Sequence, residues 1–583
     1  MNNFIYKLEE KLKNIIKECG YDTDKVSLVT SSRPDLGEYQ YNGVMSLAKT
    51  YKKNPNLIAS EIVEHLKKDN TFSNVNVAGP GFINLSFSDE ALINYMNEVK
   101  EDININKCAS KKKKIIIDYG GPNVAKALHV GHLRSANIGE ALKRLARCLD
   151  AEVIGDVHLG DWGRPMGLII LELKKRHPEW VYFDENYTGE YPSVAPVTNK
   201  DLEEIYPIAS MKAKEDEEYL EEARIVTYKL QKKERGYFAL WKKIIEVSVA
   251  NIKELYDKLN VSFELWNGES DADKYIEDVV NYLKDKGLVY ESEGAQVVDV
   301  KKEDDKVELP PLILVKSNGS VSYETTDIAT IWERMKEYHP DEIWYVVDNR
   351  QALHFEQVFR VCYKGGIVPE DIKLDFMGFG TMNGKDGKPF KTRDGGVMTL
   401  SNLIDNVKLE VEKKINKTLD KEEQEKISNT LTCAVLKYAD LLPNRNTDYI
   451  FDIEKFSDMN GKTGVYLLYS TMRMKSLIDK AKDNNYSMNK VTGIYSTYEK
   501  DIILKLLEVP SVLEKSFNER TLNYICDYLY ELTNTFNSLY ASVKILTEED
   551  PIKRESYLSL SEIVFKTNKM LLNILGIDVL ERM

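Results

Sequence analysis

Two of the chain's seven histidines, His129 and His132, stand three residues apart with Gly131 between them, at the start of an apolar-periodic stretch. Metal ligation, phosphate binding and plain helix capping all use such residues. A metal site needs a third and usually a fourth ligand, and a glycine inside the pair loosens the spacing an established helix would give it. Taken alone, the pair reads as one capping and one packing histidine. Its surroundings favour phosphate. The β-branched run KIIIDYGGPN (114–123) ends in Gly-Gly-Pro and leads into a helix predicted from about 131 to 149. A helix that opens after a strand and a glycine turn aims unpaired backbone N–H groups and the positive end of its dipole at an anion. Two imidazoles there add hydrogen bonds to phosphate oxygens, and Gly131 lets an adenine ring lie close to the backbone.

Phosphate chemistry also calls for a mobile cationic element. GTMNGKDGKPFKTRDGG (380–396) is glycine-rich and carries Lys385, Lys388, Lys391 and Arg393. Lysines on such a loop can clamp triphosphate charge as it moves onto a leaving pyrophosphate. By itself the loop is a solvated basic segment; paired with the histidine turn, it becomes specific.

Both features need elements to hold them. At 583 residues the chain exceeds one core, and a prior of roughly 150 residues per domain gives about three to five domains. A composition of 43% hydrophobic and 30% charged residues fits a soluble globular chain, and no run of about 18 apolar residues is present to span a membrane. The opening MNNFIYKLEEKLKNIIKECG has helical spacing and lacks the apolar core of a signal peptide, which reads as cytoplasmic. Six scattered cysteines without a CxxC pair argue for reduced thiols and against a zinc finger. A net charge of −14 does not exclude nucleic acid, because binding needs only a local basic stripe.

Helical patterns at 3–19 and 57–68 precede VNVAGPGFINLSF (75–87), which alternates like a strand pair around Gly-Pro-Gly. The strand at 114, the helix after it and AEVIGDVHLGDWG (151–163) make one βαβ step of a parallel sheet. A charged, mostly helical stretch reads as an insertion in that sheet. PLILVKSN (311–318), EIWYVVD (342–348) and LDFMGFG (374–380) read as strands returning to it. Beyond 400 the pattern is helical to the end, as in an antiparallel bundle.

The two signatures resemble the HIGH and KMSKS motifs of class I aminoacyl-tRNA synthetases, with Lys388-Pro389-Phe390-Lys391-Thr392 as the second. GGPNVAKALHVGHLRSANIGEAL, HLGDWG, YETTDIAT, YVVDNRQALHFEQVF, GKDGKPFKTRDGG, KYADLLPNRNTDYIFD and GIDVLERM look like the blocks of arginyl-tRNA synthetases, in that family's order. VNVAGPGFINLSF looks like the family's N-terminal domain, so the resemblance spans essentially the whole chain. It implies an α/β fold: a Rossmann-like parallel-sheet catalytic core with a helical insertion, an α+β N-terminal domain and an all-α C-terminal helix bundle. The implied boundaries are 1–107 for a domain that recognises the tRNA D-loop and 108–400 for the core, with the insertion at about 174–308. Residues 401–455 form a helical stem-contact junction and 456–583 an anticodon-binding domain.

The same resemblance implies activation of L-arginine by ATP to arginyl-adenylate and transfer of the arginyl group to the 3′ end of tRNA(Arg). Mg²⁺ would arrive with ATP rather than sit in a protein cage, with no permanently bound cofactor, no metal ligands and a monomeric state. It assigns His129, His132, Lys126, Lys388 and Lys391 to catalysis, and His129, Gly131, His132, His354, Lys388 and Lys391 to ATP. Asp118, Asn123, Tyr323, Asp327 and Gln351 fall to arginine, and Phe82, Asn84, Arg473, Tyr540 and Met583 to tRNA. Carboxylates suit a planar, permanently charged fork of donors. A pocket that leaves one unpaired rejects a shorter or neutral amino acid by roughly 10⁴-fold or more. On the N-terminal sheet, Phe82 would stack an unpaired base and Asn84 read its edge.

The chain departs from that family's usual pattern at Ala127, where many relatives carry proline, and at Arg164 and Pro165, where they read Thr-Gln. Pro165 has neither a backbone N–H nor an amide side chain. Two other readings compete: an HxGH adenylyl-transferring enzyme that uses no tRNA, and a catalytically altered tRNA-binding paralogue. The helical C-terminal third and the N-terminal module oppose the first, and the intact histidines and lysines oppose the second.

Overall fold

A computed structural model of the chain describes residues 4–103, 112–388, 398–415 and 418–581. Lys391 and Met583 lie outside the described residues. At the centre is a parallel sheet of four strands, in the spatial order Lys373–Phe379, Glu342–Asp348, Lys114–Tyr119, Glu152–Asp156. Ile115, Ile116 and Ile117 are all fully buried, as expected of a parallel strand covered on both faces. The helix Val130–Cys148 packs back on that strand at Gly139, where a Cβ would lie 2.2 Å from the ring of Tyr119.

PLILVKSN does not join this sheet. Leu312–Val315 pairs antiparallel with Ala295–Val298, which pairs with Val289–Ser292 in a separate three-stranded sheet. Leu312 and Leu314 are buried while Ile313 is 41% exposed. Only one face is covered, and the neighbouring hairpin supplies a local partner before the distant sheet can.

The N-terminal unit is an antiparallel sheet of Leu28–Thr30, Tyr39–Tyr41, Phe82–Phe87 and Phe72–Ala78, covered by the helices Phe4–Glu18 and Pro55–Leu66. It is tied to the C-terminal bundle where Asn97 exchanges hydrogen bonds of 2.8 and 3.1 Å with the backbone of Val491. The bundle comprises Gly464–Asp483, Thr497–Glu519, Asn523–Ser542 and Pro551–Ile574. Among the described residues, no helix is long and apolar enough to cross a membrane.

A buried ion pair joins the core to the helix Lys421–Leu441. Arg134, two residues after His132, donates from Nε to Asp440 Oδ1 at 2.8 Å, and Asn137 donates to Asp440 Oδ2 at 3.1 Å. Tyr449 completes the shell of Asp440 at 3.0 Å. Arg134 and Asp440 are each 1% exposed, so removing one partner strands a charge in the core. Asp440→Ala is expected to cost about 3–5 kcal/mol in urea unfolding; a loss below about 1 kcal/mol would show that this pair does not organise the junction.

Candidate active site

His129 is the N-cap of the helix Val130–Cys148, with φ −128° and ψ 176°. Its Nδ1 accepts the backbone N–H of Gly131 at 3.1 Å, and His132 Nδ1 accepts the backbone N–H of His129 at 3.0 Å. The histidines therefore cap each other's turn, with ring centroids 4.1 Å apart. Each Nδ1 is an acceptor, so each ring proton sits on Nε2. Burial, then His129 and Lys126, hold the His132 pKa down to about 3. Burial also lowers that of His129, with Lys126 and Arg350 adding to the effect and Asp348 opposing it. At neutral pH the pair thus consists of two uncharged N–H donors. Capping uses Nδ1 of each ring and leaves Nε2 on the other side, outside the cap. Gly131 makes this possible, since a Cβ there would lie 2.9 Å from His129 Cε1.

The lysine loop is fixed to the same helix at both ends. Arg134 Nη1 donates to Gly380 O at 2.7 Å where the loop leaves the sheet. On its return, Thr399 bridges to His129 and Leu400 N donates to Leu128 O at 2.7 Å. Met382–Asn383 pairs with Tyr449–Ile450, and Gly384 N donates to Lys388 O at 2.8 Å in a tight turn that leaves Lys388 exposed. Lys126 does not point freely into the site: its Nζ lies 4.4 Å from the ring centroid of Tyr206, on the insertion helix Asn199–Glu215.

Asp118, on the strand that leads into the histidine turn, anchors a group of acidic side chains. Asp118 is 8% exposed and its Oδ2 accepts from Arg334 Nη2 at 2.7 Å; Arg334 also donates to Asp156 Oδ2 at 2.7 Å. Burial raises the pKa of Asp118, and the Arg334 guanidinium opposes the shift. The helix Tyr323–Tyr338 brings exposed Tyr323 and half-buried Asp327 to the same region. A Cβ on Gly163 would lie 3.1 Å from Tyr323 Oη, so this glycine clears space for the phenol. Asn123 is exposed and packs on Gly160, where a Cβ would meet Asn123 Oδ1 at 2.6 Å. Gln351 is exposed at the end of the short helix Asn349–Gln351.

His354, expected on ATP, lies against two carboxylates of the helix Tyr323–Tyr338. Its Nε2 is 2.5 Å from Asp327 Oδ2, and its Nδ1 is 3.6 Å from Glu324 Oε1. Burial works against the charged ring, but the bonds to Asp327 and Glu324 outweigh it and hold the pKa up to about 9. His354 is therefore an imidazolium paired with Asp327, the carboxylate expected to receive arginine.

Sequence reasoning missed Arg334 and Glu269. Glu269 opens the helix Glu269–Asp285 directly after Gly268, which bridges to Leu159 in the HLGDWG loop. Burial raises its pKa to about 7, with Asp327 and Asp161 adding to the effect and His158 opposing it. The sequence signal was a carboxylate just after a glycine cap in NGES; its proximity to the pocket depended on the pairing with HLGDWG. Pro165 lies in the first turn of the helix Arg164–Arg176, where a missing N–H leaves no hydrogen bond unmade.

The chain matches three family profiles in register with this architecture: "Arginyl tRNA synthetase N terminal domain" over 6–87, "tRNA synthetases class I (R), catalytic domain" over 95–453 and "DALR anticodon binding domain" over 467–583. An arginine–tRNA ligase of Alkaliphilus oremlandii is 47% identical over 588 residues, covering 100% of both chains. The chain belongs to the arginyl-tRNA synthetase family. A second relative, the arginine–tRNA ligase of Agathobacter rectalis, is 46% identical over 598 residues with 100% of both chains covered. The fold is that of the solved arginyl-tRNA synthetase from Plasmodium falciparum, with a TM-score of 0.83, 24% identity and both chains covered completely. The Thermus thermophilus arginyl-tRNA synthetase gives 0.78 at 20% identity, again over 100% of both chains.

Away from the pocket, Arg473 and Tyr540 come together on the bundle surface, with the guanidinium 5.8 Å from the ring centroid and Tyr540 39% exposed. Phe82 is half-buried at the start of its strand. Asn84 differs from expectation: it is fully buried, accepting from Gln40 Nε2 at 2.8 Å and donating to Asn76 Oδ1 at 3.1 Å. An amide with both ends bonded beneath its neighbours cannot read a base edge in this arrangement. Gln40 and Asn76, both half-buried, flank it nearer the surface.

Proposed function

We propose that this chain activates L-arginine with ATP and transfers the arginyl group to the 3′ end of tRNA(Arg). The observation that carries this reading is that the strand bearing Asp118 runs into a helix N-terminus capped by two neutral N–H donors, while Arg334 ties Asp118 to the helix that carries Asp327. The arginine carboxylate attacks the α-phosphate in line and pyrophosphate leaves. The protein mainly positions reactants and stabilises charge. His129 and His132 donate from Nε2 to phosphate oxygens. Lys388 and Lys391, on a loop rooted beside them, take up charge passing to pyrophosphate, and Lys126 joins them on leaving Tyr206. Asp118, Asp327 and Glu269 receive the guanidinium, with Tyr323, Asn123 and Gln351 around it. Mg²⁺ accompanies ATP, and the enzyme acts as a cytoplasmic monomer. Arg473, Tyr540, Met583 and Phe82 face tRNA. Labelled arginine should be esterified to tRNA(Arg) in the presence of ATP, with lysine and citrulline inert; efficient charging of either alternative would overturn the reading.

Glu269 gives this function a pH signature. Its folded pKa of about 7 lies above the usual 4.5, so it binds a proton as pH falls through 7 and the pocket loses an anion. The kcat/KM for arginine should therefore decline below pH 7, and Glu269→Gln should flatten that limb while lowering kcat/KM about 10-fold or more at pH 8. An unchanged acid limb in the variant would remove Glu269 from the pocket.

A further inference from the structure

Three neighbouring strands of the central sheet set Tyr345, Asp118 and Asp156 side by side. Tyr345 and Asp156 are the register partners of Asp118 on its two flanks, and partners in register share a face of the sheet. Arg334, from the helix Tyr323–Tyr338, lies across this row. Its Nη1 donates to Tyr345 Oη at 3.0 Å, and its Nη2 donates to Asp118 Oδ2 and to Asp156 Oδ2, each at 2.7 Å. The side chains of Arg334 and Asp156 are each 2% exposed. Among the described residues no other basic side chain is paired with either carboxylate.

One guanidinium therefore stands against two carboxylates, with one negative charge in excess. An arginine that only fastened the helix to the sheet would need a single carboxylate. A second one buried beside the first adds desolvation and like-charge repulsion, so the excess points to a cation that arrives from outside. Only Asp118 can meet it. Asp156 uses both oxygens, Oδ1 on the backbone N–H of His158 at 3.2 Å and Oδ2 on Arg334. Asp118 gives Oδ2 to Arg334, and its side chain stays 11% exposed. Its Oδ1, which takes no hydrogen bond among the described residues, is not sealed from solvent. A guanidinium N–H suits that oxygen, being a charged donor with no acceptor of its own.

We propose that Asp156 is a positioning residue for arginine recognition: it engages Arg334 and so leaves Asp118 with an uncancelled negative charge for the substrate guanidinium. This rests on the reading of arginine as substrate and of Asp118 as one of its ligands. Three variants test it in ATP–pyrophosphate exchange with tRNA present. Asp156→Asn and Asp156→Ser remove the charge at a position no substrate touches. Each should raise KM for arginine about 10-fold or more, with kcat and KM for ATP within about 3-fold. Asp156→Glu keeps the charge and should hold KM for arginine within about 3-fold of wild type, even where its extra methylene lowers the melting temperature. A purely structural residue would make the effect follow size and stability instead of charge. A KM for arginine within 2-fold of wild type in both neutral variants overturns the proposal. So does an equal rise in Asp156→Glu, or a parallel loss in kcat, KM for ATP and melting temperature. Loss of folding in both neutral variants would make the second carboxylate a requirement of the fold and overturn it as well. Failure of the underlying reading would appear separately, as no arginine-dependent exchange by the wild-type protein or an unchanged KM for arginine in Asp118→Asn.

Discussion

Replacing His132 by asparagine is expected to slow arginyl-adenylate formation by about 10²- to 10³-fold while leaving the melting temperature within about 2 °C. The asparagine Oδ1 falls near Nδ1, so it can still accept the His129 N–H and preserve the helix cap, which is otherwise worth about 1 kcal/mol. What it loses is the Nε2–H directed away from the helix. His132→Gln reverses the separation, supplying a donor near Nε2 and weakening the cap; it should retain more activity and less stability. With the His132 pKa near 3, wild-type turnover should show no limb assignable to formation of the His132 imidazolium between pH 6 and 8. If His132→Asn instead melts much earlier with its residual rate unchanged, the ring is only a cap.

Asp327→Asn is the second large effect. The carboxylate faces the pocket and is bonded to the His354 imidazolium. Neutralising it removes an anion from the guanidinium site and leaves His354 dependent on Glu324 at 3.6 Å. KM for arginine should rise about 100-fold or more, with tRNA affinity unchanged in filter binding. His354 should also titrate lower. Its folded pKa of about 9 exceeds the usual 6.5, so its stabilising contribution is full below pH 6.5 and is lost as pH rises through 9. The stability gap between wild type and Asp327→Asn should therefore narrow over that window. Collapse of tRNA binding would make Asp327 a structural residue of the whole domain.

The histidine turn was legible because strand, glycine turn, HxGH and helix are contiguous, and local spacing carries the chemistry. The reciprocal cap was not, because it depends on which way two rings face. Asp118 could be read as a strand-end carboxylate, but its partner Arg334 lies 216 residues away. No periodicity encodes such a pairing. Glu269 was hidden for the same reason: the HLGDWG loop and the NGES turn come together only in the folded chain, as at the Leu159–Gly268 bridge. Local pattern misled where burial decided. Asn84 looked like an exposed strand amide and is the covered centre of an amide ladder, while LILV looked like a core strand and is a half-covered one. The overall α/β organisation was legible because its cues, such as the buried Ile115–Ile117 run and the helical C-terminal third, extend over many residues.

In the proposed reaction a neutral histidine turn and an adjacent group of carboxylates together make arginyl-adenylate. ATP–pyrophosphate exchange by the wild-type chain, measured for each of the twenty amino acids with and without tRNA(Arg), tests it most directly. Exchange with arginine alone is the predicted result; exchange with a different amino acid and none with arginine would contradict it.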